Sequence, residues 1–598
     1  MDEIRRSQQQ RSEGTKGLAP FIASATAGSH YLTNKRAKWQ LHTPAPRTYL
    51  ESFPDLPRLL VQCLYNRGIT DPGDVRPFLL GECDHGDPFR MKGVAEAVTR
   101  IRHAIREKEL IAVYGDFDAD GVTGTALLAE TLSSLGGIVT PYIPHRVREG
   151  YGLHQRAIRT LAAEGVTLVV TVDCGARASQ EVEYAASLGV DVIITDHHAP
   201  LEQLPPAVTV VDTKRRDCAY PFKGLSGVGI AFKLAQALLL VSRQLPLPGY
   251  DSALDEEQLL DLVALGTVAD LSPLLGENRS LVKRGLAELR QPRRAGISAL
   301  MEEAHVQSES VTAATISFVL APRLNAAGRM DDAMLSYDLL RTASPTQARE
   351  LAQLLESQNR QRREMTLSTV EAVRHQVIDQ EHEPLLFVTG EDFPIGVIGL
   401  AAHRLCDEHH RPAVVITKGE RYSVSSARSI DEFDITAALD RCASLLEKHG
   451  GHSKAAGFTV SNENLPLLEQ RLREIATERL AGIELLPTLY IDAEIPLSSL
   501  RRETFSILQQ LEPLGMGNPE PLLLSPGVQV RESRVVGEDH LKLVLTDGRI
   551  DWDGIAFGMG NLAAELPPRM DIVYSPQVRS WRGKEQLQLR IEDFKPAA

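Results

Sequence analysis

From residue 94 to residue 195 the apolar positions of the chain switch repeatedly between two spacings. Val94, Ala95, Ala97, Val98, Ile101, Ala104 and Ile105 recur at helical intervals, and an unbroken apolar run at 110–114 reads as a buried strand. Helical periodicity from Thr123 to Ser134 leads to a strand around Ile138–Ile143, helix 155–164 to strand 167–172, and helix 178–188 to strand 191–195. Strand-then-helix units of this kind predict a mostly parallel sheet covered by helices, an α/β fold. Such a sheet gathers its ligands at the C-terminal ends of its strands.

Further along, Leu339, Leu340, Ala348, Leu351, Leu354 and Leu355, then Met365, Val370, Val373 and Val377, keep helical spacing. They predict a long helix joining two lobes, and the polar stretch Gln358–Arg363 predicts that its middle is exposed. Strand Leu385–Val388, helix 397–409 and strand Ala413–Ile416 open a second α/β unit. After Thr488 the pattern becomes short alternating strands: Thr488–Ala493, Val528–Val535, His540–Thr546, Asp551–Phe557, Met570–Ser575 and Gln586–Ile591. With Gly-rich turns between them, these suggest a C-terminal OB-fold β-barrel. Residues 1–36 have no sustained periodicity and read as a flexible tail; short apolar patches at 55–80 read as small helices packed on the domain that follows. The expected organisation is a tail at 1–36, a sheet domain at 37–332, a linker helix at 333–380, a second α/β domain at 381–487 and a barrel at 488–598.

A length of 598 residues suits three or four domains of this kind. No apolar run reaches membrane-spanning length and the N-terminus lacks a signal-peptide apolar region, so the expectation is a cytoplasmic protein with no membrane partner. Six cysteines lie far apart without a CxxC pair, which argues against disulfide scaffolds and zinc ribbons. A net charge of −14 speaks against a surface coated by nucleic acid, but a local basic groove beside an acidic site stays compatible with it. Nothing signals an oligomer, and a monomer is expected.

Chemistry concentrates where the strands end. Asp116, Asp118 and Asp120 crowd one turn, and like charges so close raise one another's pKa unless a cation neutralises them. If the turn is extended, Asp118 and Asp120 point the same way. A solvated acidic turn before a helix is the plainer reading of this stretch alone. Strand 168–172 ends in Asp173, strand 192–195 in Asp196-His197-His198, and an apolar helix in Asp270. Delivered to one sheet edge, such carboxylates and imidazoles are what two adjacent divalent cations require. Hard oxygen ligands without thiolate favour Mn2+ or Mg2+ over zinc. Cys174, next to Asp173, is expected to face the core.

Asp116-Phe-Asp118-Ala-Asp120-Gly121, Asp173, Asp196-His197-His198 and Asp270 in Gly-Thr-Val-Ala-Asp together resemble the four-motif pattern of the DHH phosphoesterases. Ile143-Pro-His-Arg146, Gly227–Lys233, Ala321–Arg329, Gly396-Val-Ile-Gly399, Ser426-Ala-Arg428, Gly450-Gly-His452 and Gly515–Pro519 make the chain similar to the bacterial single-strand-specific exonucleases of that superfamily, from about residue 37 onward. The family usually carries Trp-His before Gly396, where this chain has Phe393-Pro394-Ile395, so no role of that histidine transfers.

The resemblance implies a DHH-type catalytic domain, a linker helix, a DHH-associated domain and an OB-fold barrel. It implies two Mn2+ or Mg2+ ions, one held by Asp118 and Asp173, the other by Asp120, Asp173, His197 and Asp270, with Asp173 bridging. The catalytic set is read as Asp116, Asp120, Asp173 and His198. Arg146, Ser426 and Arg428, with one of Arg323 or Arg329, would grip a terminal 5′-phosphate. His452 would contact substrate near the metals, and Trp581 would stack on bases. The expected activity is 5′-to-3′ exonuclease degradation of single-stranded DNA to 5′-mononucleotides in repair and recombination, with a single-strand-binding protein and a helicase as possible partners. The alternatives are a phosphodiesterase for short oligonucleotides or cyclic dinucleotides, and a non-catalytic replication-associated binding protein.

Overall fold

Leu110–Gly115 is apolar on both faces, so it can sit only inside a covered sheet. That is its place in the computed structural model of the chain, which describes residues 37–597 apart from 84–85, 147, 248–252, 381, 538 and 582–583; the segment 1–36 lies outside the described residues. Five parallel strands run in the order Ile138–Tyr142, Leu110–Gly115, Val166–Val172, Asp191–Thr195, Thr209–Val211. Alternation splits each strand between two cores. Ile111, Val113, Leu168 and Val170 meet the helices Ala119–Ser134, Gly227–Gln244 and Leu260–Ala269 on one side. Ala112, Tyr114 and Val169 meet Leu153, Ile158, Leu161 and Val182 on the other. The helices on the first side are apolar nearly all round, as burial among other elements requires.

The linker helix runs over Pro345–Val377 and spans both lobes. Ala348, Ala352 and Leu355 belong to the core of the first, parallel-sheet domain, whereas Val370, Val373 and Val377 belong to the core of the second domain. Its middle is exposed only in part: Arg360 and Gln361 face solvent as the polarity suggested, whereas Gln358 and Asn359 are buried. The second sheet has the order Leu446–His452, Ala455–Ser461, Tyr422–Arg428, Ala413–Lys418, Leu386–Gly390, and only its last pair is parallel.

The C-terminal strands Leu523–Val536, His540–Thr546, Asp551–Phe557, Lys584–Pro596 and Arg569–Trp581 close into a barrel through pairing of the first with the last. One boundary differs from the sequence reading, and one packing arrangement differs in part. Thr488–Ile491 stays out of the barrel and pairs in parallel with Lys38–Leu41. The small helices Arg58–Asn66 and Pro72–Leu80 pack mainly on the barrel core through Leu60, Leu64 and Val75, while the end of the second also meets the sheet domain that follows, where the Arg279 guanidinium lies 3.9 Å above the Phe78 ring and Lys283 donates to Leu79 O. Arg67 fixes them there by donating to Asn518 Oδ1 (2.8 Å) and Asp492 Oδ1 (3.1 Å).

Candidate metal centre and active-site cleft

The strand Leu110–Gly115 delivers Asp116, and the chain then turns straight into a helix. Asp118 is the N-cap of that helix, its Oδ1 accepting from the backbone N–H of Asp120 (3.0 Å) and Gly121 (3.1 Å). Asp118 and Asp120 thus share a helix N-terminus, not the extended geometry first expected. Asp173 follows its strand with φ of 62°, a left-handed conformation uncommon outside glycine. The helix Gly227–Gln244 starts so near that a Cβ on Gly227 would lie 2.6 Å from Asp173 Cβ, so only glycine fits. Asp196, His197 and His198 leave the strand Asp191–Thr195, and Asp270 ends the helix Leu260–Ala269.

These side chains converge. His197 Nε2 lies 3.1 Å from Asp173 Oδ1 and 3.9 Å from Asp270 Oδ1, and His198 Nδ1 lies 2.8 Å from Asp196 Oδ1. Three sets have ligand atoms within 4.8 Å of one another: Asp116, Asp118 and Asp173; Asp120, His197 and Asp270; Asp173, His197 and His198. Asp173 joins the first and third sets. Asp116, read from sequence as one of the catalytic set and not as a metal ligand, stands among the potential ligands. Asp120 is also held from behind, accepting from the N–H groups of Gly227 (2.7 Å) and Val228 (2.9 Å).

Burial, and after it the charge of neighbouring carboxylates, pushes Asp116, Asp120 and Asp173 well above the ordinary carboxylate range. Burial raises Asp270 as well. Asp196 behaves differently: burial would raise it, but the His198 hydrogen bond and charge and the Ala176 N–H hold it low. Asp116 Oδ1, Asp173 Oδ1 and His197 Nε2 are buried without hydrogen-bond partners. Orphaned buried acceptors among repelling carboxylates are what a bound divalent cation would satisfy, and the donor set, mostly oxygen with imidazole, suits Mn2+ or Mg2+. Cys174 turns away from this edge, its Sγ 3.9 Å from Tyr114 O.

Opposite the carboxylates lies a cationic pocket. Arg428 Nη1 donates to Ser426 Oγ (3.0 Å), and a Cβ on Gly399 would come within 3.1 Å of Arg428 Nη2. Arg329 donates to Gly396 O (3.2 Å) at the N-terminus of the helix Ile395–His409, and the Arg146 guanidinium stacks 4.5 Å above the Phe117 ring. Burial, together with the charges of Arg146, Arg362 and Arg428, pushes the Arg329 guanidinium down to about 9. Crowded guanidinium groups at a helix N-terminus make an anion site.

Arg323 is elsewhere. It is buried, donates to Val319 O (2.7 Å) and pairs with Glu356 (2.6 Å) on the linker helix, so it ties two helices together and Arg329 is the arginine of this pocket. His452 reaches across from the second domain, its ring 5.8 Å from that of His198. Trp581 ends a barrel strand, and its side chain lies outside the described residues.

Three further residues at the site were not singled out from the sequence, although Asn325 lies within the Ala321–Arg329 stretch that carries the family resemblance. Tyr151 Oη donates to Asp173 O (3.1 Å). Asn325 Oδ1 accepts from Ala119 N (2.8 Å), between two of the aspartates. Asp212, after the three-residue strand Thr209–Val211, is buried and pushed up to about 6, chiefly by that burial.

A carboxylate and imidazole cluster at the C-terminal edge of a parallel sheet, faced by an arginine pocket from a second α/β lobe, defines a two-lobed DHH phosphoesterase. The DHH family N-terminal domain profile matches residues 110–267, the DHHA1 domain residues 382–478 and the RecJ OB domain residues 491–593. The chain belongs to the RecJ family of single-stranded-DNA-specific exonucleases. It is 36% identical over 572 residues to the Bacillus subtilis RecJ exonuclease, covering 93% of this chain and 71% of the relative, and 34% identical over 570 residues to the Escherichia coli one, covering 91% and 96%. The crystal structure of RecJ from Thermus thermophilus in complex with Mn2+ superposes with a TM-score of 0.81 at 29% identity, covering 94% of this chain and 80% of that one. Its Mg2+ complex gives 0.75 at 28% identity, covering 94% and 79%.

Proposed function

We propose that the protein is an exonuclease specific for single-stranded DNA that starts at a 5′-phosphate and releases 5′-mononucleotides by metal-dependent hydrolysis. The observation that carries this reading is one cleft with acidic and imidazole ligands on one wall and the Arg146, Arg329 and Arg428 pocket on the other. Asp116, Asp118 and Asp173 would hold one Mn2+ or Mg2+, and Asp120, His197 and Asp270, sharing Asp173, the other. Such ions neutralise non-bridging phosphate oxygens and supply hydroxide near neutral pH. Asp196 fixes the His198 ring through Nδ1, leaving Nε2 to exchange a proton at the reacting phosphate. Arg428, Ser426, Arg329 and Arg146 bind the terminal phosphate, and holding one phosphate in the pocket while the next lies at the carboxylates sets both polarity and product length. His452 contacts the nucleotide between them. We place this activity in cytoplasmic DNA repair and recombination, carried out by a monomer on strands supplied by a helicase and covered by a single-strand-binding protein.

Assays of 5′-labelled single strands, duplexes and dinucleotides with Mn2+ test the reading: mononucleotide release from single strands supports it, and cleavage of dinucleotides alone overturns it. Arg428→Ala should raise KM for 5′-phosphorylated strands by about 10- to 100-fold, the value of a charge-assisted contact of about 1.5–3 kcal/mol. Strands with a 5′-hydroxyl should be far less affected. A variant that still discriminates between the two ends as the wild type does would remove Arg428 from the terminal-phosphate pocket.

A further inference from the structure

Glu277, Asn278 and Arg279 stand in the first turn of the helix Gly276–Leu289, and all three side chains are buried. Successive residues of a helix point about 100° apart, so each meets a different part of the protein. Glu277 pairs with Lys233 (2.7 Å) and accepts from Tyr220 Oη (2.8 Å). Arg279 donates to the carbonyls of Leu511 (3.0 Å), Glu512 (2.8 Å) and Pro513 (3.1 Å) below the barrel and to Phe78 O (2.9 Å). Asn278, with 0% exposure, donates through Nδ2 to Gly224 O (2.6 Å) and Pro273 O (3.1 Å).

Those two carbonyls belong to the loops that seat two of the candidate ligands. Gly224 lies just before Ser226, the N-cap of the helix whose first N–H groups, from Gly227 and Val228, hold the Asp120 carboxylate. Pro273 lies in the loop after Asp270, where Ser272 Oγ donates to Asp270 Oδ2 (2.5 Å). A second tie, Ser226 Oγ to Thr267 Oγ1 (2.9 Å), joins the same two segments on the helix side. Asp120 and Asp270 share one ligand set with His197.

We infer that Asn278 is a positioning residue of the metal centre: its carboxamide fixes the separation of the loops that seat Asp120 and Asp270. The two protons on Nδ2 match two carbonyl acceptors, a pairing that only a donor-bearing side chain makes. Asn278 touches neither substrate nor metal and acts through these loops. The inference rests on the proposed metal centre, and it separates Asn278 from its neighbour Arg279, which serves domain docking.

Calorimetric and electron-paramagnetic-resonance titration with Mn2+ of the full chain tests this on the wild type, Asn278→Asp, Asn278→Ser and Arg279→Lys. Asn278→Asp keeps the shape and sets a carboxylate against two carbonyl oxygens. It should weaken one of the two Mn2+ sites by about 10- to 100-fold, the usual consequence of losing an outer hydrogen bond at a metal centre. Its kcat should fall while KM for DNA stays within about twofold, and Asn278→Ser, which keeps one donor, should lie between it and the wild type. Arg279→Lys should lower Tm yet bind Mn2+ as the wild type does. Wild-type Mn2+ affinity in a folded Asn278→Asp or, should that variant not fold, in Asn278→Ser, overturns the inference. Failure of the wild type itself to bind Mn2+ overturns the metal centre instead.

Discussion

Asp173→Asn is expected to stop turnover while leaving the metal-free fold as stable as before or more so. Asp173 and His197 each appear in two of the three potential ligand sets among the described residues; of the two only Asp173 brings a carboxylate, and its Oδ1 is buried without a hydrogen-bond partner. Asparagine keeps the volume and is among the residues that best tolerate a positive φ such as the 62° found there, so the backbone need not change. The substitution removes one negative charge from between Asp116, Asp118 and Asp270, the neighbours that, after burial, hold the Asp173 carboxyl up. Loss of that repulsion stabilises the empty site. Loss of the shared ligand removes charge stabilisation from the transition state, worth about 10^3-fold in kcat, or roughly 4 kcal/mol. Steady-state kinetics with Mn2+ and a melting curve in chelator check the two halves separately. Activity within about tenfold of wild type would remove Asp173 from the reaction, and a lower metal-free Tm would refute the account of the repulsion.

The carboxylate and imidazole wall of this site was legible because buried parallel strands announce where they stop. The apolar runs before Asp116, Asp173 and Asp196 have no polar face to confuse their ends, and the ends of neighbouring strands in a parallel sheet are close in space. Asp212 was missed for the converse reason: the strand before it has three residues, too few to show a period. Arg323 and Arg329 lie six residues apart on one helix and so point roughly 120° apart, but nothing local tells which direction faces the cleft. Gly328 and Asn325 decide it in the fold, by resting the Arg329 side of the helix on the turn at Phe117–Ala119. Polarity misled at Gln358 and Asn359, which are buried although Arg360 and Gln361 beside them are exposed. The docking of the N-terminal helices on the barrel depends on contacts such as Arg67 to Asn518, 451 residues apart, which no local pattern encodes.

Removing divalent metal is expected to destabilise the catalytic domain, and more at alkaline pH than near pH 6. Asp116, Asp120, Asp173 and Asp270 all have folded-state pKa values raised above the ordinary carboxylate value, by burial first and, for the first three, by one another's charge next. A carboxyl that binds its proton more tightly when folded makes the folded state less stable as pH rises from the unfolded value of about 4 through the raised one, and that stability returns as pH falls. The metal-free chain is therefore expected to melt lower at pH 8 than at pH 6. A cation held by the same carboxylates replaces the protons, so Mn2+ at about 100 times its Kd adds about 2.7 kcal/mol, or about 5–10 °C for a domain of this size, with the larger gain at pH 8. Differential scanning calorimetry of wild type and Asp173→Asn, with chelator or Mn2+ at the two pH values, isolates the share of the effect that passes through Asp173. The variant should show a smaller pH sensitivity and a smaller Mn2+ shift than the wild type, and equal pH sensitivity in the two proteins would show that the repulsion lies elsewhere.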